Sequence, residues 1–94
     1  MSWKGLISKN LKELRIHFCQ KSNTSDGVRE FLKESYPELK RQNPHFPFLV
    51  REAAGVEARF FARYDYGIEK KAVLDNLSAK DVEAELEKLV KETS

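Results

Sequence analysis

Cys19 is the only cysteine of this 94-residue chain, and it lies in the alternating run Leu14-Arg15-Ile16-His17-Phe18-Cys19-Gln20. Alternate residues of a strand share a face, so Arg15, His17 and Cys19 are predicted to lie together. A helix is predicted to begin shortly afterwards. Nearby cations and a helix N-terminus both favour a thiolate and lower the pKa of a thiol. Cys19 is therefore a candidate redox-sensitive thiol, although free cysteine is also a common small buried side chain.

A single cysteine restricts the thiol chemistry. A thioredoxin-type cycle needs a second, resolving thiol, and this sequence has none. A monothiol mechanism that uses glutathione stays open as a hypothesis, although the Cys-Pro-Tyr-type motif of such enzymes is missing. One cysteine also argues against a disulfide-rich secreted protein and favours a reducing compartment, the cytosol or the mitochondrial matrix.

Other catalytic and metal-binding patterns have weaker support. His17 and Cys19 are two potential metal ligands, but His45 lies between two prolines and no paired spacing completes a zinc site. The sequence shows no nucleophile elbow, phosphate-binding glycine loop or Rossmann fingerprint. The carboxylates of residues 81–92 are interpreted as the solvated face of a helix. We therefore predict no catalytic residue, no cofactor or cofactor-binding residue, and no metal ligand.

The segment Arg59-Phe60-Phe61-Ala62-Arg63-Tyr64 interleaves cations with aromatic rings. On an open sheet face it could stack bases and contact phosphates. It could equally meet a protein, because arginine and aromatic residues are enriched at interfaces. The simpler interpretation is a strand with its aromatic side chains in the core and its arginines at the edge. A net charge of only +2 favours this interpretation over nucleic-acid binding.

The basic N-terminal arm, residues 1–11, has apolar residues at roughly helical spacing that continue into the first strand: Trp3, Leu6, Ile7, Leu11 and Leu14. We consider three interpretations: a matrix-targeting segment, an arm laid on an acidic partner, and a frayed, solvated terminus. The longest apolar runs are a few residues, far short of the ~20 that cross a bilayer. No membrane-spanning segment is predicted.

Residues 12–19 are predicted to form the first strand, with Leu14, Ile16 and Phe18 on one side. Ser25 is the predicted N-cap of the helix that follows. Its apolar face is predicted from the helical spacing of Val28, Phe31, Leu32 and Leu39.

Pro37 interrupts this helical pattern. A proline inside a helix removes a backbone donor and clashes with the preceding turn, at a cost of about 3 kcal/mol. Because Ser35 and Glu38 also form a capping-box pattern, we predict a kink or break near Ser35. The helical stretch is predicted to end by Asn43-Pro44, and Phe48-Leu49-Val50 is predicted to be a short, buried, parallel strand.

Two further strands and a last helix complete the prediction. A turn at Ala54-Gly55 precedes a strand over residues 58–64, and a turn centred on Gly67 leads to a fourth strand over residues 71–74. The last helix begins with a capping pattern of Ser78 and Asp81, and its core-facing residues are Val82, Leu86, Leu89 and Val90.

The order β-α-β-β-β-α predicts an α/β, thioredoxin-like domain with a four-stranded mixed sheet and two main helices. The middle helix usual in such a domain is predicted to be shortened to a turn over residues 53–57. We expect a single domain over residues 1–94, because no linker, repeat or low-complexity tract divides the chain.

Several short motifs, in their order and spacing, carry a family resemblance over about residues 11–89. They are the run 14–20, Gly27-Val28-Arg29, Asn43-Pro44, Pro47 with Arg51-Glu52, Ala62-Arg63-Tyr64 with Gly67, and Asn76 with Ser78-Ala79 and Val82. Together they resemble the alpha subcomplex subunit 2 family of mitochondrial NADH:ubiquinone oxidoreductase, respiratory complex I.

This resemblance implies a non-catalytic, thioredoxin-like accessory subunit that supports assembly and stability of the matrix arm, in electron transfer from NADH to ubiquinone. It implies a peripheral place on the matrix side of the mitochondrial inner membrane and contact with the large iron-sulfur subunit. No nucleic acid, membrane insertion or redox centre is expected.

The resemblance also bears on Cys19. Animal members of the family have a second cysteine just after the Arg-Glu pair, where this chain has Ala53. An internal disulfide switch is therefore not expected. The same domain occurs in certain mitochondrial ribosomal proteins, which gives one alternative function, and a monothiol oxidoreductase that uses Cys19 is the other.

Overall fold

The computed structural model describes residues 3–19 and 21–91. A 3-10 turn at Trp3–Leu6 leads into the short helix α1, and a second 3-10 turn at Asn23–Ser25 precedes α2. The elements in chain order are α1 (Ile7–Asn10), β1 (Glu13–Phe18), α2 (Asp26–Glu34), α3 (Tyr36–Gln42), β2 (Phe48–Glu52), β3 (Arg59–Arg63), β4 (Glu69–Val73) and α4 (Ala79–Lys91).

The strands form one four-stranded mixed sheet in the order β2-β1-β3-β4. β1 runs parallel to β2 and antiparallel to β3, and β4 runs antiparallel to β3. The predicted α/β class, the mixed sheet and the parallel direction of β2 are confirmed. β4 begins at Glu69, two residues before its predicted start, because the hairpin turn at Asp65–Gly67 is short.

The described helices cover only one face of the sheet. All four contribute to a single core together with alternate residues of the strands, and its fully enclosed members include Ile7, Leu14, Ile16, Val28, Phe31, Leu39, Phe60, Val82, Leu86 and Val90. The rings of Phe31 in α2 and Phe60 in β3 meet edge to face at 5.9 Å. The predicted inward faces of β1, α2 and α4 are therefore confirmed.

The predicted break at Ser35 separates α2 from α3, and Pro37 occupies the first turn of α3. Proline is tolerated there because the first helical N–H groups have no partner within the helix. The predicted capping box is wrong. Ser35 has helical backbone angles and makes no cap, because a capping residue needs an extended backbone. Glu38 instead accepts from Arg41 at 2.9 Å and from Gln42 at 2.8 Å.

Ser25 is the N-cap residue of α2, as predicted, but its side chain does not make the predicted capping hydrogen bond. Ser25 is fully buried, and its hydroxyl accepts a hydrogen bond from the backbone N–H of Cys19 at 3.0 Å. Ser22 instead caps the 3-10 turn by accepting from the N–H of Thr24. The cap at Ser78 is confirmed, since its hydroxyl accepts from the N–H of Asp81 at 3.2 Å.

β2 is not the buried strand that its apolar residues predicted. Phe48 is 8% exposed, but Leu49 is 49% and Val50 44% exposed. β2 lies at the edge of the sheet, and the ring of Tyr36 in α3 packs against Phe48, at its first residue. The remainder of β2 therefore extends past the helical layer with apolar side chains partly in solvent.

The described part of the N-terminal arm, residues 3–11, belongs to the folded domain. Ile7 and Leu11 are enclosed in the core. The buried side chain of Asn43 donates to the carbonyl of Lys4 at 2.8 Å and accepts from the hydroxyl of Ser8 at 2.7 Å. For these residues the prediction of a frayed, solvated terminus is wrong, because their apolar side chains complete the core. Within residues 3–19 and 21–91, no helix has the length and apolar character needed to span a bilayer.

Gly27 allows α2 to approach the turn before α4. An added Cβ at Gly27 would lie 1.8 Å from the carbonyl oxygen of Leu77, a distance that no structure tolerates. The same turn is tied to the loop after β1, because the N–H of Asn76 donates to the carbonyl of Thr24 at 2.9 Å. The close packing of α2 against this turn, and therefore against α4, depends on the absence of a side chain at position 27.

Gly27→Ala is expected to destabilise the protein by about 3 kcal/mol, because the Cβ would force α2 away from the backbone at Leu77. Urea unfolding followed by circular dichroism measures the change. Lys33→Ala is the control, since Lys33 is exposed on the same helix. A Gly27→Ala variant as stable as the control would contradict the close approach.

Asn43→Ala is expected to cost about 2 kcal/mol, because it leaves buried polar groups of the N-terminal segment without partners. Hydrogen exchange should also become faster at the backbone amides of residues 3–10. Asn23→Ala changes an exposed asparagine and serves as the control. Unchanged stability and exchange would show that the N-terminal segment docks without Asn43.

Candidate functional site

Cys19 lies directly beyond the end of β1 and is 5% exposed. The connection from β2 to β3 covers this position. β1 separates the two strands in the sheet, so residues 53–58 must pass across the end of β1. The N–H of Gly55 in this connection donates to Cys19 Sγ at 3.4 Å. The middle-helix position is a turn, as predicted, and that turn encloses the thiol.

The surroundings of Cys19 stabilise its thiolate. Hydrogen bonds from the backbone of Lys21, then from Gly55 and Ser22, lower the pKa of the Cys19 thiol below its ordinary value. Burial opposes this shift, and the positive charge of Arg29 adds to it. Arg15 and His17 do not contribute, so the predicted cluster of these two residues with the thiol is wrong.

Arg29 holds the loop after Cys19 in place. Its guanidinium donates to the carbonyl of Cys19 at 2.5 Å and to the carbonyl of Ser22 at 2.9 Å, and it forms an ion pair with Asp26. A cavity of about 260 Å³ beside this loop is lined by Cys19, Ser22, Thr24, Gly55, Val56, Glu57 and Asp75. Cys19 itself is only 5% exposed, which fits the interpretation of a buried packing residue.

The second face of the sheet, termed the open face, is covered by none of the described helices. It carries Glu13, Arg15 and His17 of β1, Leu49 and Arg51 of β2, Arg59, Phe61 and Arg63 of β3, and Glu69, Lys71 and Val73 of β4. His17 lies between Arg51 and Arg59 in the register of the strands. This face therefore gathers most of the charged side chains of the sheet.

The cation-aromatic segment of β3 is divided between the two faces. Phe60 and Tyr64 are buried in the core, and the Tyr64 hydroxyl donates to the carbonyl of Leu89 at 2.6 Å. Their predicted core position is confirmed. Phe61 is on the open face, and the two arginines lie within that face rather than at a sheet edge, because β3 is a central strand. A single partly buried ring does not make a base-stacking platform.

His17 is surrounded by arginines. The Nε of Arg59 donates to His17 Nδ1 at 3.2 Å, and the His17 ring meets Phe61 edge to face at 5.4 Å. Burial, and then the charges of Arg59, Arg51 and Arg15, lower the pKa of His17 below its ordinary value. The imidazole is therefore neutral at pH 7 and accepts a hydrogen bond from a cation.

Charges on the rest of the open face largely neutralise one another. Arg63 pairs with Glu69 at 2.9 Å, which raises the pKa of Arg63 and lowers that of Glu69. Arg15 pairs with Glu13 at 3.2 Å, and Lys71 pairs with Glu57 at 3.2 Å. Unpaired positive charge is thus concentrated toward β2.

The structure does not bring the candidate metal ligands together. Cys19 is under the β2–β3 connection, His17 is on the open face, and His45 is exposed after α3. Among residues 3–19 and 21–91, no group of three histidine, cysteine, aspartate or glutamate side chains is arranged to hold a metal ion.

The β2 side of the open face is not apparent from local sequence patterns. Leu49 belongs to an apolar run and Arg51 to a family motif, and neither pattern connects them with His17. Strand alternation was the available signal, since it places both on one face of β2. The missing information was that β2 is an edge strand that pairs directly with β1.

Residues 28–79 match the family model described as the mitochondrial ribosomal protein L51 / S25 / CI-B8 domain. An Arabidopsis thaliana protein named NADH dehydrogenase (ubiquinone) 1 alpha subcomplex subunit 2 is 46% identical over 91 residues, 97% of this chain and 94% of its own length. The Mus musculus protein of that name is 47% identical over 72 residues, 77% of this chain and 73% of its own.

The NADH-ubiquinone oxidoreductase 10.5 kDa subunit of Neurospora crassa is 39% identical over 94 residues, the full length of both chains. The relatives come from a plant, an animal and a fungus and are 39–47% identical to this chain over most of its length. Identity at this level shows common descent, which a shared fold by itself would not show. The chain therefore belongs to the NADH dehydrogenase (ubiquinone) 1 alpha subcomplex subunit 2 family of complex I accessory subunits.

Proposed function

We propose that this complex I accessory subunit is non-catalytic and supports assembly and stability of the matrix arm by binding, within electron transfer from NADH to ubiquinone. The observation that carries the proposal is the contrast between its two candidate sites. Its single thiol is enclosed by a loop, whereas a whole sheet face with charged and apolar side chains is available for contact.

A small folded module can stabilise a larger subunit by mass action, because binding to the folded form lowers the free energy of that form alone. The proposed partner is the large iron-sulfur subunit, and the proposed location is the matrix side of the mitochondrial inner membrane, as a peripheral protein. Both assignments rest on the family resemblance and on the complex named in the relatives.

The family description also names ribosomal proteins, so ribosomal RNA is the alternative ligand. The open face supports this alternative poorly. Carboxylates of Glu13, Glu57 and Glu69 are interspersed among its cations and would repel a phosphate backbone. Two aromatic side chains that could have stacked on bases lie in the core.

Blue native electrophoresis of mitochondria from the organism that encodes this protein tests the assignment. A tagged copy of the full chain is expected to migrate with in-gel NADH dehydrogenase activity. Deletion of the gene should lower the amount of assembled complex I. Migration of the tagged chain with a ribosomal subunit instead would contradict the proposed function.

Cys19→Ala is expected to leave complex I assembly and NADH:ubiquinone activity within about twofold of wild type, because the proposal gives the thiol no chemical role. Complementation of the deletion strain measures both quantities. Asn43→Ala, which loosens the fold, is the comparison variant and should lower assembly and activity together. A Cys19→Ala subunit that assembles normally but loses activity per complex would indicate thiol chemistry.

A further inference from the structure

The geometry of the open face points to a docking site for an acidic segment of a neighbouring protein subunit. We place it on Arg15, Arg51 and Arg59, termed the arginine cluster, which surround His17 across β1, β2 and β3 of this face. The inference rests on the proposed function, because it takes the partner to be a protein within complex I.

Strand register brings the arginine cluster together. Arg51 and Arg59 are the two cross-strand partners of His17, and Arg15 precedes His17 by two residues on the same face. A depression of about 700 Å³ is lined by Arg15, His17, Phe48, Leu49, Val50 and Arg51. Arg15 and Arg51 therefore line a concave surface that could receive a protruding carboxylate, and Arg59 lies across His17 from Arg51.

Charge balance within the arginine cluster is incomplete. Arg15 is paired with Glu13 at 3.2 Å, so the excess positive charge lies on Arg51 and, in part, on Arg59. Arg51 is exposed, and it forms no ion pair with any residue that the structure describes. Arg59 lies 3.7 Å from Glu57, which is shared with the closer Lys71 at 3.2 Å. The neutral His17 supplies no negative charge. The partner surface that complements the cluster is consequently acidic.

Arg59 is already held in one orientation before a partner binds. Its guanidinium lies 5.3 Å from the Phe61 ring centroid and donates to His17 Nδ1. A pre-oriented guanidinium loses less side-chain entropy on binding than a free one, and its planar fork matches a carboxylate. These features favour arginine recognition of an aspartate or glutamate side chain.

One apolar side chain borders the cluster. Leu49 is 49% exposed on the open face, whereas Val50 is on the opposite face of the edge strand β2. Protein interfaces combine apolar contacts with charged groups, so an exposed aliphatic side chain beside these cations fits a protein contact. The expected partner segment therefore carries carboxylates flanked by aliphatic residues.

Arg51→Glu tests the site, because Arg51 has no ion pair to lose within the described chain. The variant is expected to unfold with wild-type cooperativity, but its amount in complex I on native gels should fall about tenfold, since it places a carboxylate against an acidic partner. Lys80→Glu is the matched control, with the same charge change at an exposed position of α4. It should assemble normally.

Arg51→Lys tests the chemistry of the partner in the assembled complex. A carbodiimide joins an amine to a carboxylate in direct contact, so mass spectrometry should find the new amine at position 51 crosslinked to aspartate or glutamate of another protein subunit. A crosslink of Lys80 to the same peptide, or none at position 51 in assembled complex, would overturn the assignment.

The outcomes separate the two proposals. If the wild-type chain is absent from complex I, the proposed function fails. If wild type and Arg51→Glu assemble equally, the docking site fails and the proposed function stands. Migration of wild type with ribosomes, lost in Arg51→Glu, would show that the cluster binds RNA and would overturn both.

Discussion

The connection between β2 and β3 constrains the rest of the molecule. It spans residues 53–58 and forms no helix, yet it must cross the end of β1 to reach the other side of that strand. Without a helix there, the second face of the sheet has no cover from the described chain. The same short crossing encloses Cys19. The short β2–β3 connection therefore leaves the open face uncovered and encloses the thiol of Cys19.

Because the open face lacks helices, the core lies entirely between the helices and the other face of the sheet. The N-terminal segment fills the space beside α3 and α4 with Ile7 and Leu11, and Asn43 satisfies its backbone groups. Gly27 brings α2 to the turn before α4. Burial of apolar surface from both ends of the chain makes a domain of this size stable. The charged face is then free to serve contact rather than folding.

Strong periodicity and proline chemistry made most of the fold predictable. The apolar spacing of α4, the alternation of β1 and β3, and the break at Ser35 all follow from local geometry. The capping hydrogen bonds predicted for Ser25 and Ser35 are absent, because a tertiary contact engages Ser25 and Ser35 has helical backbone angles. β2 was assigned as buried because an apolar run does not reveal whether its strand lies at an edge.

The candidate sites were likewise only partly predictable from local sequence patterns. The sequence identified Cys19, His17 and the arginines of β3 as residues of interest, but it grouped them by distance along the chain. Cross-strand register brought His17 to Arg51 and separated it from the thiol. Register depends on strand order, which a single sequence specifies only weakly.

Hydroxyl-radical footprinting of the free subunit and of intact complex I tests the central claim, that the open face is the binding surface, most directly. Leu49 and Phe61 should be oxidised several-fold more slowly in the complex, because a neighbour covers them. Equal oxidation of Leu49 and Phe61 in both states, with protection on α4 instead, would contradict the account.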